Sequence, residues 1–280
     1  INIDNTSFKY GVQAQDWDVI VLQAWYPEAC YGLNGGVGNG DIKDEEWLNE
    51  LTKILKSEAT NPNVELGFNM IWSQNRQLSE AKINDRDNNY NNRFNDGDTT
   101  ADWQGIVDQT NEWIKDNADY KYLIPVGTAV ENARTSYLGG IRGNLDNGSS
   151  MVGGLQRDSV HMNDIGKYIA AMTWAKVLKP EWNVLDTAFA PIVKYSGTDN
   201  IVCDENVQKV AKEAVENAVN IWNEVTPSAY PFRIMNYTDG KITIAASNVV
   251  RNVLGEDNSK PANIVIAEYD SGNHRLVKCK

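Results

Sequence analysis

Short apolar runs alternate with longer amphipathic stretches over the first half of this chain. Residues 17–23, centred on Val19, Ile20, Val21 and Leu22, have strand length, as do residues 64–72 and 120–126. Near-continuous apolar runs of this kind suit strands buried on both faces of a parallel sheet. Between them, residues 44–57 place Trp47, Leu48, Leu51, Ile54 and Leu55 on one helical face. Residues 102–117 do the same with Trp103, Ile106, Val107, Thr110, Trp113 and Ile114, and a third helix is expected over 128–137. Strand and helix in strict alternation predict right-handed crossovers and an α/β fold with helices on both faces of a parallel sheet.

Open sheets of this type bind ligands beyond the carboxyl ends of their strands. Chemistry is therefore expected at Gln23 and Ala24, Ser73 and Gln74, and Gly127 and Thr128. Two inserts rich in Asn, Asp and Gly, residues 31–41 and 84–100, read as long surface loops flanking this edge. Glycines 35, 36, 38 and 40 are followed by no phosphate-binding Lys-Ser/Thr, which argues against a nucleotide loop.

Further along, residues 165–178 form a helical pattern with Ile165, Tyr168, Ile169, Met172 and Val177 inward, stopped at Lys179 and Pro180. Residues 205–225 form another, ahead of Pro227. Beyond Pro231 the character changes to short strands, expected at 241–246, 262–269 and 275–278, with a tight turn at 270–273. Residues 1–234 are read as the α/β domain and 235–280 as a partial Ig-like β module, since three strands cannot close a full sandwich.

The strongest chemical clue is Asp158 and His161, three residues apart ahead of the 165–178 helix. His161 is one of only two histidines in 280 residues. A carboxylate at i and an imidazole at i+3 can face one cleft as orienter and base for a nucleophile. The alternative is helix capping by Asp158, although Asn163 and Asp164 also lie near the helix start.

Composition narrows the partners. With 38 Asp+Glu against 26 Lys+Arg the net charge is -12, which disfavours nucleic acid and anionic membranes. Nine Trp and twelve Tyr suit stacking on sugar rings as well as core packing. Cys30, Cys203 and Cys279 have no metal-ligand spacing and form no disulfide framework, so neither a metal site nor a cofactor is expected. No run approaches the ~18 apolar residues of a membrane helix. The first thirty residues lack a basic stretch followed by an apolar one, and the chain is read as starting mid-protein or already processed.

Four blocks in order resemble the SGNH hydrolases, in a bacterial branch of unknown function: Trp17 to Gln23, Met70 to Ser73, Ile124 to Arg134, and Asp158 to Asn163 continuing through Gly166, Lys167, Tyr168, Ile169 and Ala170. The resemblance covers roughly residues 10–180. It implies a three-layer, flavodoxin-like α/β esterase with a small C-terminal β appendage. His161 would be general base, Asp158 its orienter and Gln23 an oxyanion donor, with Trp72, Asn132 and Arg134 lining the substrate cleft. The family's Gly-Asp/Asn-Ser block has no counterpart ahead of Trp17. Ser7 follows Asp4, Asn5 and Thr6, but nine residues before Trp17 are too few for a crossover of about a dozen. Ser271, Gly272, Asn273 and His274 spell the family's letters in a hairpin turn and carry no catalytic weight.

The expected activity is a serine esterase removing O-acetyl groups from a glycan, or acting on another acylated small molecule, in a secreted or cell-surface protein. The alternative is a noncatalytic glycan-binding or adhesive protein that keeps the fold without the nucleophile. A glycoside hydrolase would need two positioned acids about 5 to 10 Å apart. Glu28, Glu65 and Asp102 are available, with nothing marking two as partners.

Overall fold

The computed structural model describes residues 8–24, 44–73, 99–114, 117–140, 142–144, 150–152, 155, 161–186, 203–238, 241–246, 267–269 and 276–279. Asp158, Ser7, Glu28, Cys30, Gln74, the loops at 31–41 and 84–98, and the turn at 270–274 lie outside these residues.

A short helix α1 (Phe8–Gln13) leads into β1 (Val19–Leu22), α2 (Asp44–Glu58), β2 (Glu65–Asn69), α3 (Thr99–Ile114), β3 (Tyr120–Ile124) and α4 (Val126–Arg134). The three strands form a parallel sheet in the order β1-β2-β3, as the alternation predicts. Leu66 and Phe68 of β2 turn to one face, where they pack with Leu48 and Leu55 of α2 and Trp113 and Ile114 of α3. Phe68 meets Trp113 and Tyr120 edge-on at 6.1 and 6.4 Å. Ile54 departs from expectation: it is 46% exposed, because it lies away from the Leu48, Thr52 and Leu55 stripe that meets the sheet.

The larger cluster joins Ile124 and α4 to α5 (Asp164–Leu178) and α6 (Glu205–Asn220), with Val21 packed against it. Helices therefore cover both faces of the sheet, and the architecture is α/β. In α5, Ile165, Tyr168, Ile169 and Met172 are all buried, as their spacing predicts, and Val177 is partly so.

The expected helix at 128–137 begins two residues earlier, at Val126. Pro125 has no N–H to continue the ladder, and its φ of -85° suits the residue before a helix, so strand passes to helix with no loop. This abrupt passage is possible because Gly127 N donates to Met70 O at 2.9 Å. A Cβ at Gly127 would sit 2.2 Å from Ile71 O, so no larger residue fits this approach.

Between α4 and α5 the backbone pairs β4 (Arg142–Asn144) with β5 (Ser150–Val152) in antiparallel fashion. Beyond α6, β6 (Phe232–Thr238) and β7 (Lys241–Ala246) form an antiparallel hairpin, and β8 (Ala267–Tyr269) pairs likewise with β9 (Leu276–Cys279). Strand β6 begins three residues ahead of 235, where the sequence suggested a module boundary. The β6–β7 hairpin is tied to the α/β body through Arg233. Arg233 donates to both carboxylate oxygens of Asp204, at 3.1 and 2.5 Å, and lies over the Tyr137 ring at 5.6 Å. Asp204 also caps α6, accepting from Asn206 N and Val207 N at 3.0 and 3.1 Å. Burial pushes the Asp204 carboxyl up, but Arg233 and the two cap donors outweigh it and hold the group below its ordinary value.

These contacts bear on stability. Gly127→Ala should lower unfolding stability by about 1 to 3 kcal/mol through overpacking, read by urea denaturation. Because the folded Asp204 carboxyl lies below its unfolded value near 3.9, its contribution is present above that pH and is lost as pH falls through the folded value. Asp204→Asn, which keeps the cap oxygen, should therefore lower stability at pH 7 and flatten the acid limb, whereas Asp204→Ala should cost about a further 1 kcal/mol from the lost cap. Urea melts across the acid range measure both.

Candidate functional site

The sequence-predicted positions at the carboxyl edge divide sharply in exposure. Gln23, directly after β1, is exposed, whereas Ser73 and Thr128 are fully buried. Thr128 is occupied structurally: its hydroxyl donates to Trp222 O and accepts from Trp103 Nε1 at 3.3 Å.

Gln23 and Asn69 stand side by side because β1 and β2 pair in parallel with Val21 opposite Gly67 and Leu22 opposite Phe68. Asn69, buried at the last position of β2, donates from its amide nitrogen to Gln23 Oε1. Its own oxygen accepts from Trp174 Nε1 of α5 at 3.0 Å. Sequence reading missed both Asn69 and Trp174. A polar residue inside an apolar strand run was the available signal for Asn69.

Ser73 belongs to a buried polar cluster with Glu131 and Arg134 of α4. Its hydroxyl donates to Glu131 Oε1 and accepts from Arg134 Nη1, which also pairs with Glu131, while Arg134 Nη2 donates to Ser73 O at 2.7 Å. The i,i+3 spacing of Glu131 and Arg134 puts both on one side of α4, facing the end of β2. The cluster latches the chain leaving β2 to the helix that follows β3.

Asn132 and Arg134, expected to line a substrate cleft, are 1% and 8% exposed. Asn132 donates to Ala214 O at 3.2 Å and accepts from Thr226 N at 2.7 Å, joining α4 to α6 and the segment after it. Both side chains are thus engaged in holding elements together. Trp72 is partly buried and packs against both the α4–α5–α6 cluster and the group formed by Met70, Ile71 and Trp103.

His161 is exposed, ahead of α5. The cap of α5 is Asn163, whose side-chain oxygen accepts from Ile165 N and Gly166 N, each at 3.0 Å. Asn163 N donates to Leu155 O at 3.0 Å, and a Cβ at Gly166 would sit 2.4 Å from that same oxygen, so the start of α5 is pressed against residue 155. These contacts fix the start of the helix that His161 precedes. Asp158 lies outside the described residues, but the capping role that competed with catalysis belongs to Asn163.

Glu65 opens β2 at the opposite, amino edge of the sheet, where Lys121 and then Tyr122 hydrogen-bond its carboxylate and hold it below its ordinary value. A glycosidase acid needs the opposite shift. Only the backbone of Asp102 is described, within α3. Burial, with Asp204 adding to it, pushes the Cys203 thiol up to about 11, which keeps it protonated and poorly nucleophilic. Among the described residues no group of three or more His, Cys, Asp or Glu is placed to hold a metal. No helix there is long and apolar enough to cross a membrane.

Removing one member of the Glu131–Arg134 pair leaves the other charge buried without its partner. Arg134→Met and Glu131→Ala should each lower stability by about 3 to 5 kcal/mol, and the double variant should lose much less than the sum. Denaturant titration of all three variants reads the coupling.

Known proteins sharing this architecture give the chain its place. No curated protein matches it. A solved structure of a DUF4886 family protein from Bacteroides uniformis ATCC 8492 is similar in fold, with a TM-score of 0.54 and 22% identity over 79% of this chain and 69% of that one. The family model described as domain of unknown function DUF4886 matches residues 1–218, well over half of the sequence, and the chain belongs to that family.

Proposed function

We propose that this chain carries the base and oxyanion side of an SGNH-type serine esterase, acting on O-acetyl groups of a glycan. The observation that supports it most is the capping of α5 by Asn163. It relieves Asp158 of the structural job that would otherwise explain the residue, and leaves an exposed imidazole three residues beyond it. In this reading a serine hydroxyl, from a Gly-Asp/Asn-Ser block outside these 280 residues, adds to the ester carbonyl. His161 takes the hydroxyl proton and passes it to the departing sugar oxygen, Asp158 holds the imidazolium, and the Gln23 amide donates to the oxyanion. Water then repeats the sequence on the acyl-serine, releasing acetate and the free serine. The exposed position of Gln23 at the carboxyl end of a parallel strand agrees with that role.

The glycan part follows from the resemblance together with the acidity of the chain, which suits an uncharged polymer better than an anionic one. The test is hydrolysis of p-nitrophenyl acetate and of an acetylated oligosaccharide by this chain and by a polypeptide extended to include a Gly-Asp/Asn-Ser block. Activity is expected in the extended form only, falling by about 10²- to 10⁴-fold in His161→Ala. Hydrolysis that does not depend on His161, or none from the extended form on either substrate, would overturn the reading.

A further inference from the structure

We propose that Trp174 and Asn69 are positioning residues which set the direction of the Gln23 amide, so that its NH2 group faces away from the protein as the donor of the site. The inference rests on the ester-hydrolase reading for its chemistry and on the hydrogen-bond chain for its geometry.

The direction follows from what each group is able to do. An indole N–H only donates, whereas a carboxamide has one accepting end and one donating end. Trp174 Nε1 approaches Asn69 at 3.0 Å, so the end of Asn69 facing it has to be the oxygen. The Asn69 NH2 then faces the neighbouring strand, where it meets Gln23, and the end of Gln23 turned toward it has to be its oxygen. The Gln23 NH2 is left turned away from Asn69 on an exposed side chain, with no hydrogen bond to the described residues. Turning either amide over would set donor against donor at a buried link, since Asn69 is 3% exposed. A donor-only group on α5 thus dictates the polarity of an exposed amide at the end of β1, two hydrogen bonds away. An oxyanion donor needs this fixed polarity, because an amide free to rotate would present its oxygen to the developing negative charge as often as its nitrogen.

Asn69→Asp is the decisive variant because it is nearly isosteric with the original. The ionised carboxylate it introduces accepts from Trp174 with one oxygen and has only another acceptor to offer Gln23, which then has to turn its NH2 inward and its oxygen outward. Asn69→Ala removes the partner without reversing it, and Trp174→Phe keeps a ring of similar shape while deleting the donor. The Gln23 side-chain amide, assigned by NMR with Gln23→Ala, is expected to exchange rapidly with solvent in the original chain. In Asn69→Asp exchange should slow and the resonance shift, and in Trp174→Phe it should report two orientations. An unchanged Gln23 resonance in both variants would overturn the proposal, as would protection of that amide already in the original chain.

In the extended polypeptide hydrolysing p-nitrophenyl acetate, Asn69→Asp is expected to lower kcat by about 10²-fold or more with little change in KM. Asn69→Ala and Trp174→Phe should fall between it and the original. Because a carboxylate buried at position 69 and a cavity left there both cost stability, kcat is compared on the folded fraction of each variant, read by urea denaturation, and kcat for folded Asn69→Asp at or above that of folded Asn69→Ala would refute the positioning role. Complete absence of hydrolysis in the original extended polypeptide would count against the esterase reading instead, with the NMR arm still deciding the orientation of Gln23. Should Asn69→Asp fail to fold, the Trp174→Phe resonance carries the same decision.

Discussion

The close approach of the start of α4 to the end of β2 governs the carboxyl edge of this molecule. Pro125 ends β3 and the helix begins at once, with Gly127 pressed against Ile71 O and bonded to Met70 O. Since α4 is fully buried along its nine residues, it cannot retreat to relieve a misfit. From that one contact the Glu131–Arg134 pair comes within reach of Ser73, and Asn132 within reach of α6 and Thr226. Interiors packed at crystal-like density pass such constraints on with little slack.

The polar groups at this edge divide into two kinds. Ser73, Thr128, Asn132 and Arg134 are buried, with hydrogen bonds inside the protein, and act as fasteners between elements. Gln23 is exposed and, among the described residues, is bonded only through its oxygen, and His161 is exposed ahead of a helix capped by a different residue. Buried polar groups must be satisfied internally, so a rigid edge needs many fasteners for each group left to meet a ligand.

Asp204 combines two such roles at the far side of the large cluster. A single carboxylate caps α6 and receives Arg233, so one residue fixes the start of a helix and the docking of the β6–β7 hairpin. A two-stranded hairpin is marginal alone. Here it is supported by Arg233 over Tyr137, by Tyr137 N donating to Tyr230 O at 2.9 Å, and by Ala245 within the helical core. The hairpin is thus continuous with the α/β body through these contacts.

The sequence by itself determined the alternation of strands and helices, the parallel sheet, the carboxyl-edge positions and the helix approached by His161. These rest on periodicity and on local chemistry within a few residues: the apolar stripe of α3, the stop of α5 at Lys179 and Pro180, and the Asn163 cap two and three residues from its donors. Tertiary structure alone decided which polar residues at this edge are exposed and which hold the fold. Nothing near Arg134 in sequence announces that Ser73, 61 residues away, will take its guanidinium, and Asn69 meets Trp174 across 105 residues. Helix starts also shifted where a tertiary contact replaced an expected loop, as at Val126. A side chain's type fixes what it can donate or accept, but its partner is chosen by the path of the whole chain, and a hydrogen bond 3.0 Å long leaves no trace in residues that far apart.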